Sequence, residues 1–457
     1  SPSRMTAHLR QLRIATAILT ALLGLAASAT GNPTGNTMTG IFDPVFRTLT
    51  IAVDGNRLAP PVITLGSSDR LVIGFDALRD DRDYLRYSIY HCDADWRISD
   101  LIDNEVFDGF NYADVTDYAF SRGTVTHYVH YTITLPNSEF SFRISGNYLL
   151  QVYNEDDPDT ILLQARFMVS EGAVGVSGRV TSRTDVDYNA SHQQLEFDVD
   201  LNRFTVRNPF TDLKVAVTQN GRADNGVIVT HPSRVSGNSV IYEHLRDLIF
   251  PAGNEYRRME TVQMTYPGMG VETIEYHAPY YHHLLSVDTP RAARNYSYDS
   301  TQHGRFFIRE YNSTESDTEA DYSVVHFLLD KQFVPDMDIY LDGDFTGRHF
   351  DESSRMLYDS EAAVYHKEML LKQGAYNYQY LALPSGHGSR QPSGQSATSS
   401  SNHPRPFANG INTPALTSVV EGDFYQTVNE YLVAVYYRAP GDRYDRLLGY
   451  TLLFSGQ

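Results

Sequence analysis

The chain has 457 residues, 41% of them hydrophobic, with a formal net charge of −19 and a single cysteine. Such a length exceeds one ordinary core and predicts about three domains, and the hydrophobic share rules out global disorder. The acidic balance disfavours nucleic acid and anionic membrane surfaces, which are held through basic residues, and one cysteine supplies no disulfide framework.

Residues 1–29 read as an export signal. Arg4, Arg10 and Arg13 precede the apolar stretch IATAILTALLGLAASA, which closes on Ala27-Ser28-Ala29. The stretch is too short and Ala-rich for a membrane span. Cleavage after Ala29 would take the formal charge from −19 to −22. No cysteine lies beside that point, so the expectation is an exported protein without a lipid anchor.

From about residue 40 the hydrophobic period is two. In QLEFDVDL, Leu195, Phe197, Val199 and Leu201 share one face while Glu196, Asp198 and Asp200 share the other. VTHYVHYTITL, LKVAVTQ, MDIYLDG and EYLVAVYYR repeat the pattern. Asn220-Gly221, Asp342-Gly343, Gln373-Gly374 and Pro440-Gly441 supply turns between strands. Helical signal is confined to DALRDDRDYLR and EHLRDLIF. These features predict an all-β protein of tandem Ig-like β-sandwich domains. An N-terminal unit runs over 40–172, a middle unit over 173–290 and a C-terminal unit over 300–457. Residues 384–418, rich in Ser, Gly and Pro, read as a disordered loop within the last unit.

Several clusters could carry chemistry. YSIYHCDADWRISDL (87–101) holds the only Cys and the only Trp, with His91, Cys92, Asp93 and Asp95 in five positions. Strand alternation turns His91 and Cys92 to opposite faces, and the nearby acids oppose a thiolate, so scaffold is the expected role. His277, His282 and His283 in YHAPYYHHLL raise the question of a metal, but the neighbouring turn and tyrosines favour a strand pair. Asp342 and Asp344 in LDGDFTG match only a fragment of a calcium loop. G-x-S-x-G, H-E-x-x-H, a phosphate loop and a strand-linked G-x-G-x-x-G are all absent from the sequence. The residues therefore predict no catalytic site, no cofactor and no metal.

A series of phrases runs nearly end to end: YSIYHCDADWRISDL, DGFNYADVTDYAFS and SGNYLLQVYN, then NPFTDLKVAVTQNGRADN and FPAGNEYRRME, then LKQGAYNYQY and EGDFYQTVNEYLVAVYYR. Over about residues 40–455 the chain resembles the plug protein family of the type IX secretion system. The resemblance implies a non-enzymatic periplasmic protein on the inner face of the outer membrane. Its implied partner is the giant outer-membrane β-barrel translocon, whose periplasmic opening it would block when no cargo passes. Phe107, Asp108, Gly109 and Phe110 are the candidate loop for that contact. MDIYLDGDFTGRHF is also similar to the early-Ig fold of glycogen-binding modules, with Arg348 standing where a sugar-stacking Trp would fall. Tyr376, Tyr378 and Tyr380 could form a sugar platform, so an exported carbohydrate-binding β-sandwich protein is the alternative.

Overall fold

The computed structural model describes residues 36–388 and 414–456. The export signal at 1–29, and residues 389–413 of the Ser/Gly/Pro stretch, lie outside the described residues. Among the described residues strands dominate, joined by turns, three four-residue helices and two single 3₁₀ turns. Among the described residues no helix is long and apolar enough to cross a membrane.

Alternating apolar residues give each strand one buried face, and pairs of sheets close over those faces. In the first unit, strands Gly40–Ile41, Asp157–Ser170, Gly146–Asn154, Leu85–Cys92 and Ala113–Asp114 lie side by side, with Val62–Thr64 parallel to Asp157–Ser170. A second sheet orders Phe46–Val53, Leu71–Ala77, Val129–Leu135 and Asp117–Phe120. Phe75, Tyr131 and Ile133 from one sheet meet Ile89, Tyr148 and Phe167 from the other in a shared core.

The second core joins Leu195, Phe197 and Val199 to Val215, Val217, Val433 and Val435. Strand Leu213–Gln219 pairs with Glu430–Tyr437, in register Val215 to Val435 and Val217 to Val433. Arg446–Phe454 completes that sheet. The third core gathers Met259, Phe327, Leu341 and Tyr376. Its sheets take in Arg257–Glu260, Val271–His277 and Tyr280–Leu285 together with Gly374–Pro384 and Tyr322–Leu329.

This partition corrects the boundaries at 290 and 300. Residues 257–285 belong to the third pair of sheets, and 430–454 return to complete the second, so the third unit is nested inside the second. Alternation identifies a strand and its buried face but carries no information about a distant partner. Two further expectations change. DALRDDRDYLR forms no helix: strand Leu71–Ala77 ends within it and strand Leu85–Cys92 begins, with turn and loop between. EHLRDLIF yields one 3₁₀ turn, Arg246–Leu248, before strand Ile249–Pro251. The C-terminal end of the 384–418 stretch is also ordered. Leu416 and Ala382 exchange backbone hydrogen bonds of 2.8 and 3.0 Å, and Ala415 is buried beside Phe350 and Leu383.

Three seams weld the units. Between the first and second, Cys92, Ala94, Trp96 and Met168 pack against Ala216, Ala434, Tyr436 and Leu447. Beside them the Asp-rich turn brackets the C-terminal strands: Ala94 N–H donates to Asp445 Oδ2 at 3.0 Å, and Arg438 pairs with Asp93 at 2.6 Å. Between the second and third, Arg348 donates to the Asn220 carbonyl at 2.7 Å, and Arg305 grips Glu430 through two bonds of 2.6 and 3.0 Å. Between the first and third, Lys372 Nζ meets Asp76 Oδ2 at 2.6 Å, each side chain 1% exposed. The same carboxylate accepts from the Tyr322 hydroxyl at 2.7 Å and faces His130 Nδ1 at 2.7 Å.

Removing one partner of a buried ion pair strands the other charge in a low-dielectric seam. Lys372→Met is therefore expected to destabilise the chain by about 3–5 kcal/mol in urea unfolding. A loss below about 1 kcal/mol, the range of exposed pairs, would show that the seam does not depend on this pair.

Candidate functional site

The clusters that the sequence offers for chemistry are built into the scaffold. His91 and Cys92 end strand Leu85–Cys92 and face opposite ways. His91 Nδ1 meets Ser99 Oγ at 2.9 Å and Nε2 meets the Ser145 carbonyl at 3.0 Å, while its ring lies edge-on to Tyr148. Cys92 is fully buried in the seam with the second unit. Burial, reinforced by Asp93 and Asp95 against the pull of Arg166, pushes its thiol up to about 12. A thiol so placed stays protonated and unreactive.

Asp342 and Asp344 both bind one cation, the Arg348 guanidinium, at 2.7 and 3.0 Å. That pairing occupies the carboxylates a calcium ion would need. Tyr376, Tyr378 and Tyr380 are all buried. Tyr378 and Tyr380 donate their hydroxyls to Asp288 Oδ2 at 2.8 and 2.7 Å. They offer no platform for a sugar, which corrects that expectation: alternation put all three on the core face of Gly374–Pro384.

The histidines separate in the same way. His283 faces inward, with Nδ1 on Ser323 Oγ at 2.8 Å. His282 turns to the opposite face, where Nδ1 meets His326 Nε2 at 2.8 Å, and exposed His277 pairs with Glu275. No group of three or more His, Cys, Asp or Glu among the described residues could hold a metal ion.

The presented surface is aromatic. Of the proposed loop, Phe107 is 1% exposed and packs edge-on to Phe140 at 5.1 Å, so it belongs to the core and not to a contact surface. Gly109, at φ +103°, turns the chain. Phe110 then stands 78% exposed, and Asp108 is held by Arg143. The two phenylalanines share one short loop, and a turn at glycine sends one in and one out. Phe110 lies against exposed Tyr112, ring centroids 6.1 Å apart, and the Arg86 guanidinium sits 5.5 Å from the Tyr112 centroid.

A similar group lies nearby. The Arg82 guanidinium is 4.3 Å from the Tyr84 ring centroid and 4.8 Å from that of Tyr118, and Tyr118 meets exposed Phe120. Sequence reasoning missed these partners, because loop position conceals which rings share a surface. Exposed aromatics braced by arginine, on a firmly anchored frame, have the composition of an interface hot spot.

The model of the first domain of type 9 secretion system plug proteins matches residues 46–171. A crystal structure of a hypothetical protein from Parabacteroides merdae is 41% identical, with a TM-score of 0.85. The match covers 92% of this chain and 100% of that one. The nested three-unit architecture is therefore common to both. A Pseudomonas fluorescens alkylpurine DNA glycosylase bound to DNA aligns over 27% of this chain and 29% of its own. At 12% identity and a TM-score of 0.16 it carries no argument. No curated protein matches the sequence.

The buried histidine pair makes stability depend on pH. Burial, partly offset by Glu368 and reinforced by His282, brings His326 from 6.5 down to about 4. The unfolded chain takes up this proton near pH 6.5 and the folded chain only near pH 4. Stability is thus intact above that window and falls through it as pH drops, by about 3 kcal/mol in all. Urea midpoints measured at pH 7 and pH 4.5 are expected to differ less in His326→Gln than in the wild type. An equal pH dependence in both would contradict the assignment.

Proposed function

The chain belongs to the type 9 secretion system plug protein family, and from that membership we propose that it works by obstruction. In this reading it is exported to the periplasm, docks on the periplasmic opening of the giant outer-membrane β-barrel translocon, and blocks it when no cargo passes. It performs no chemistry of its own. A barrel wide enough for folded cargo would leak unless closed by a body that does not deform.

The observation that carries this reading is the welding of three β units through buried seams. Loosely linked domains ordinarily meet through modest polar interfaces and move relative to one another. Here an ion pair 1% exposed on each side, an apolar seam and a buried arginine join all three units. The histidine, cysteine and acidic clusters serve that rigidity. The third unit, where Met337–Asp342 pairs with Gly374–Pro384, is consistent with an early-Ig arrangement retained as scaffold without sugar binding.

The docking surface in this proposal is the aromatic group led by Phe110 and Tyr112, with Asp108 and Gly109 shaping its turn and Phe107 anchoring it. Truncating a hot-spot aromatic typically costs 2 kcal/mol or more, roughly thirtyfold in affinity. Gentle affinity purification of the tagged chain should bring down a very large outer-membrane barrel. The Phe110→Ala, Tyr112→Ala double variant should bring down at least tenfold less while keeping its urea midpoint. Wild-type chain recovered alone, under conditions that preserve outer-membrane complexes, would refute the docking reading. Undiminished capture by the variant would move the contact elsewhere on the molecule.

A further inference from the structure

One edge of the first unit is left open. In the sheet ordered Phe46–Val53, Leu71–Ala77, Val129–Leu135 and Asp117–Phe120, the two outer strands differ. Strand Phe46–Val53 is broken by a bulge between Arg47 and Thr50, and Thr48 Oγ1 lies 2.6 Å from the Tyr322 hydroxyl of the third unit. That edge is closed. Strand Asp117–Phe120 pairs with Val129–Leu135 in unbroken register, Asp117 to Thr132 and Phe120 to Val129. It carries no Pro, Lys or bulge, the devices that ordinarily stop an edge from pairing.

Alternation fixes where the backbone groups of this strand point. Ser121 N–H donates to the Tyr128 carbonyl at 2.9 Å, which sets the hydrogen-bonded positions of the pair at Asp117, Ala119 and Ser121. The N–H and C=O groups of Tyr118, Phe120 and Arg122 therefore point away from the sheet. The third unit takes one of them: Arg122 N–H donates to the Thr318 carbonyl at 2.8 Å. Those of Tyr118 and Phe120 have no partner among the described residues. The side chains around them are presented outward. Phe120 is 48% exposed and meets Tyr118 edge-on, and Tyr84, 57% exposed, joins them through the Arg82 guanidinium. On the opposite face of the strand Asp117 is exposed, with no ion partner among the described residues. Arg86, two residues beyond Tyr84, lies against Tyr112, so this edge is continuous with the surface led by Phe110.

We propose that strand Asp117–Phe120 accepts an added β-strand, an extended segment of the translocon's periplasmic rim. This contact, which rests on the docking reading above, specifies how the barrel is held. Only an extended backbone offers N–H and C=O groups at the repeat of alternate strand residues, roughly 7 Å, so the free amides select a strand over a helix. Side chains then fix the kind of segment. The residues that meet Tyr84, Tyr118 and Phe120 are apolar, and the one that faces Asp117 is Lys or Arg, because opposite charges pair favourably across strands. The net charge of −19 on this chain favours the same sign in its partner.

Amide hydrogen exchange of the whole chain, alone and bound to the purified barrel, tests the contact. In the free chain the Tyr118 and Phe120 amides should exchange rapidly while Ala119 is protected. Binding should slow Tyr118 and Phe120 at least tenfold. Phe120→Pro deletes an outward N–H, a change that edge strands tolerate. It should lower capture of the barrel at least tenfold and leave the melting temperature of the free chain within a few degrees, whereas Phe120→Ala keeps the N–H and should lose less. Tyr118→Pro takes its place if Phe120→Pro fails to fold. Barrel bound with both amides still in rapid exchange, or captured equally by a folded proline variant, overturns strand addition and leaves the docking reading standing. A chain that does not bind the barrel at all overturns the docking reading and this contact with it. Protection that grows with the concentration of the chain alone would assign the edge to a second copy and overturn the barrel segment.

Discussion

The architecture turns on one buried charge pair. Asp76 lies in a strand of the first unit and Lys372 ends a strand of the third, and neither is accessible to water. Desolvating two charges costs several kcal/mol per ion, so the pair is tolerable only because the remaining bonding capacity is filled. The Tyr322 hydroxyl and His130 complete the carboxylate. The Asp317 carbonyl accepts from the ammonium at 2.6 Å, and the Tyr128 ring lies 4.1 Å from it. Burial nevertheless pulls Lys372 below the ordinary lysine value. An apolar seam would tolerate sliding; a saturated polar knot accepts one relative placement of the two units.

Connectivity reinforces that placement. The third unit is an insertion between strands of the second, entered just after Ile249–Pro251 and left just before Glu430–Tyr437. Glu421 stands at the exit, fully buried, with Arg257 at 3.0 Å and Arg291 beside it. Two chain crossings thus tie the same two bodies, and the ionic cluster closes the third unit where the chain leaves it. The Asp93–Asp95 turn does the corresponding work on the first unit, clasping Arg438 and Asp445 from the far end of the chain. Residues that look like a reaction centre in linear order prove to be the bracket that holds the C-terminal strands.

Much of this was legible in the sequence, and the gaps share a cause. The alternation in QLEFDVDL placed Leu195, Phe197 and Val199 inward, and all three are core residues. It also turned His91 and Cys92 to opposite faces. Pairing was not legible: nothing local in EYLVAVYYR says that Val433 will lie beside Val217 and not beside a strand nearer in sequence. Phe107 and Phe110 could not be told apart without the Gly109 turn. The tyrosines of GAYNYQYLAL were open to two readings, a platform or a core stripe, because one strand cannot reveal whether a second sheet covers it. The knot itself left a faint trace, since Asp76 interrupts the apolar run LVIGFDAL and Lys372 closes the short run MLLK. A charge in such a position asks for a partner, though the sequence does not name it.

The central claim is that a stiff three-unit body closes the translocon from the periplasmic side. The most direct measurement is the conductance of the purified barrel in a planar bilayer, before and after the chain is added to its periplasmic face. The account predicts that the open-barrel current falls to near the bilayer baseline, and that washing out the bound chain restores it. Full conductance with the chain demonstrably bound would contradict it, because a docked protein that leaves the pore open is not a plug.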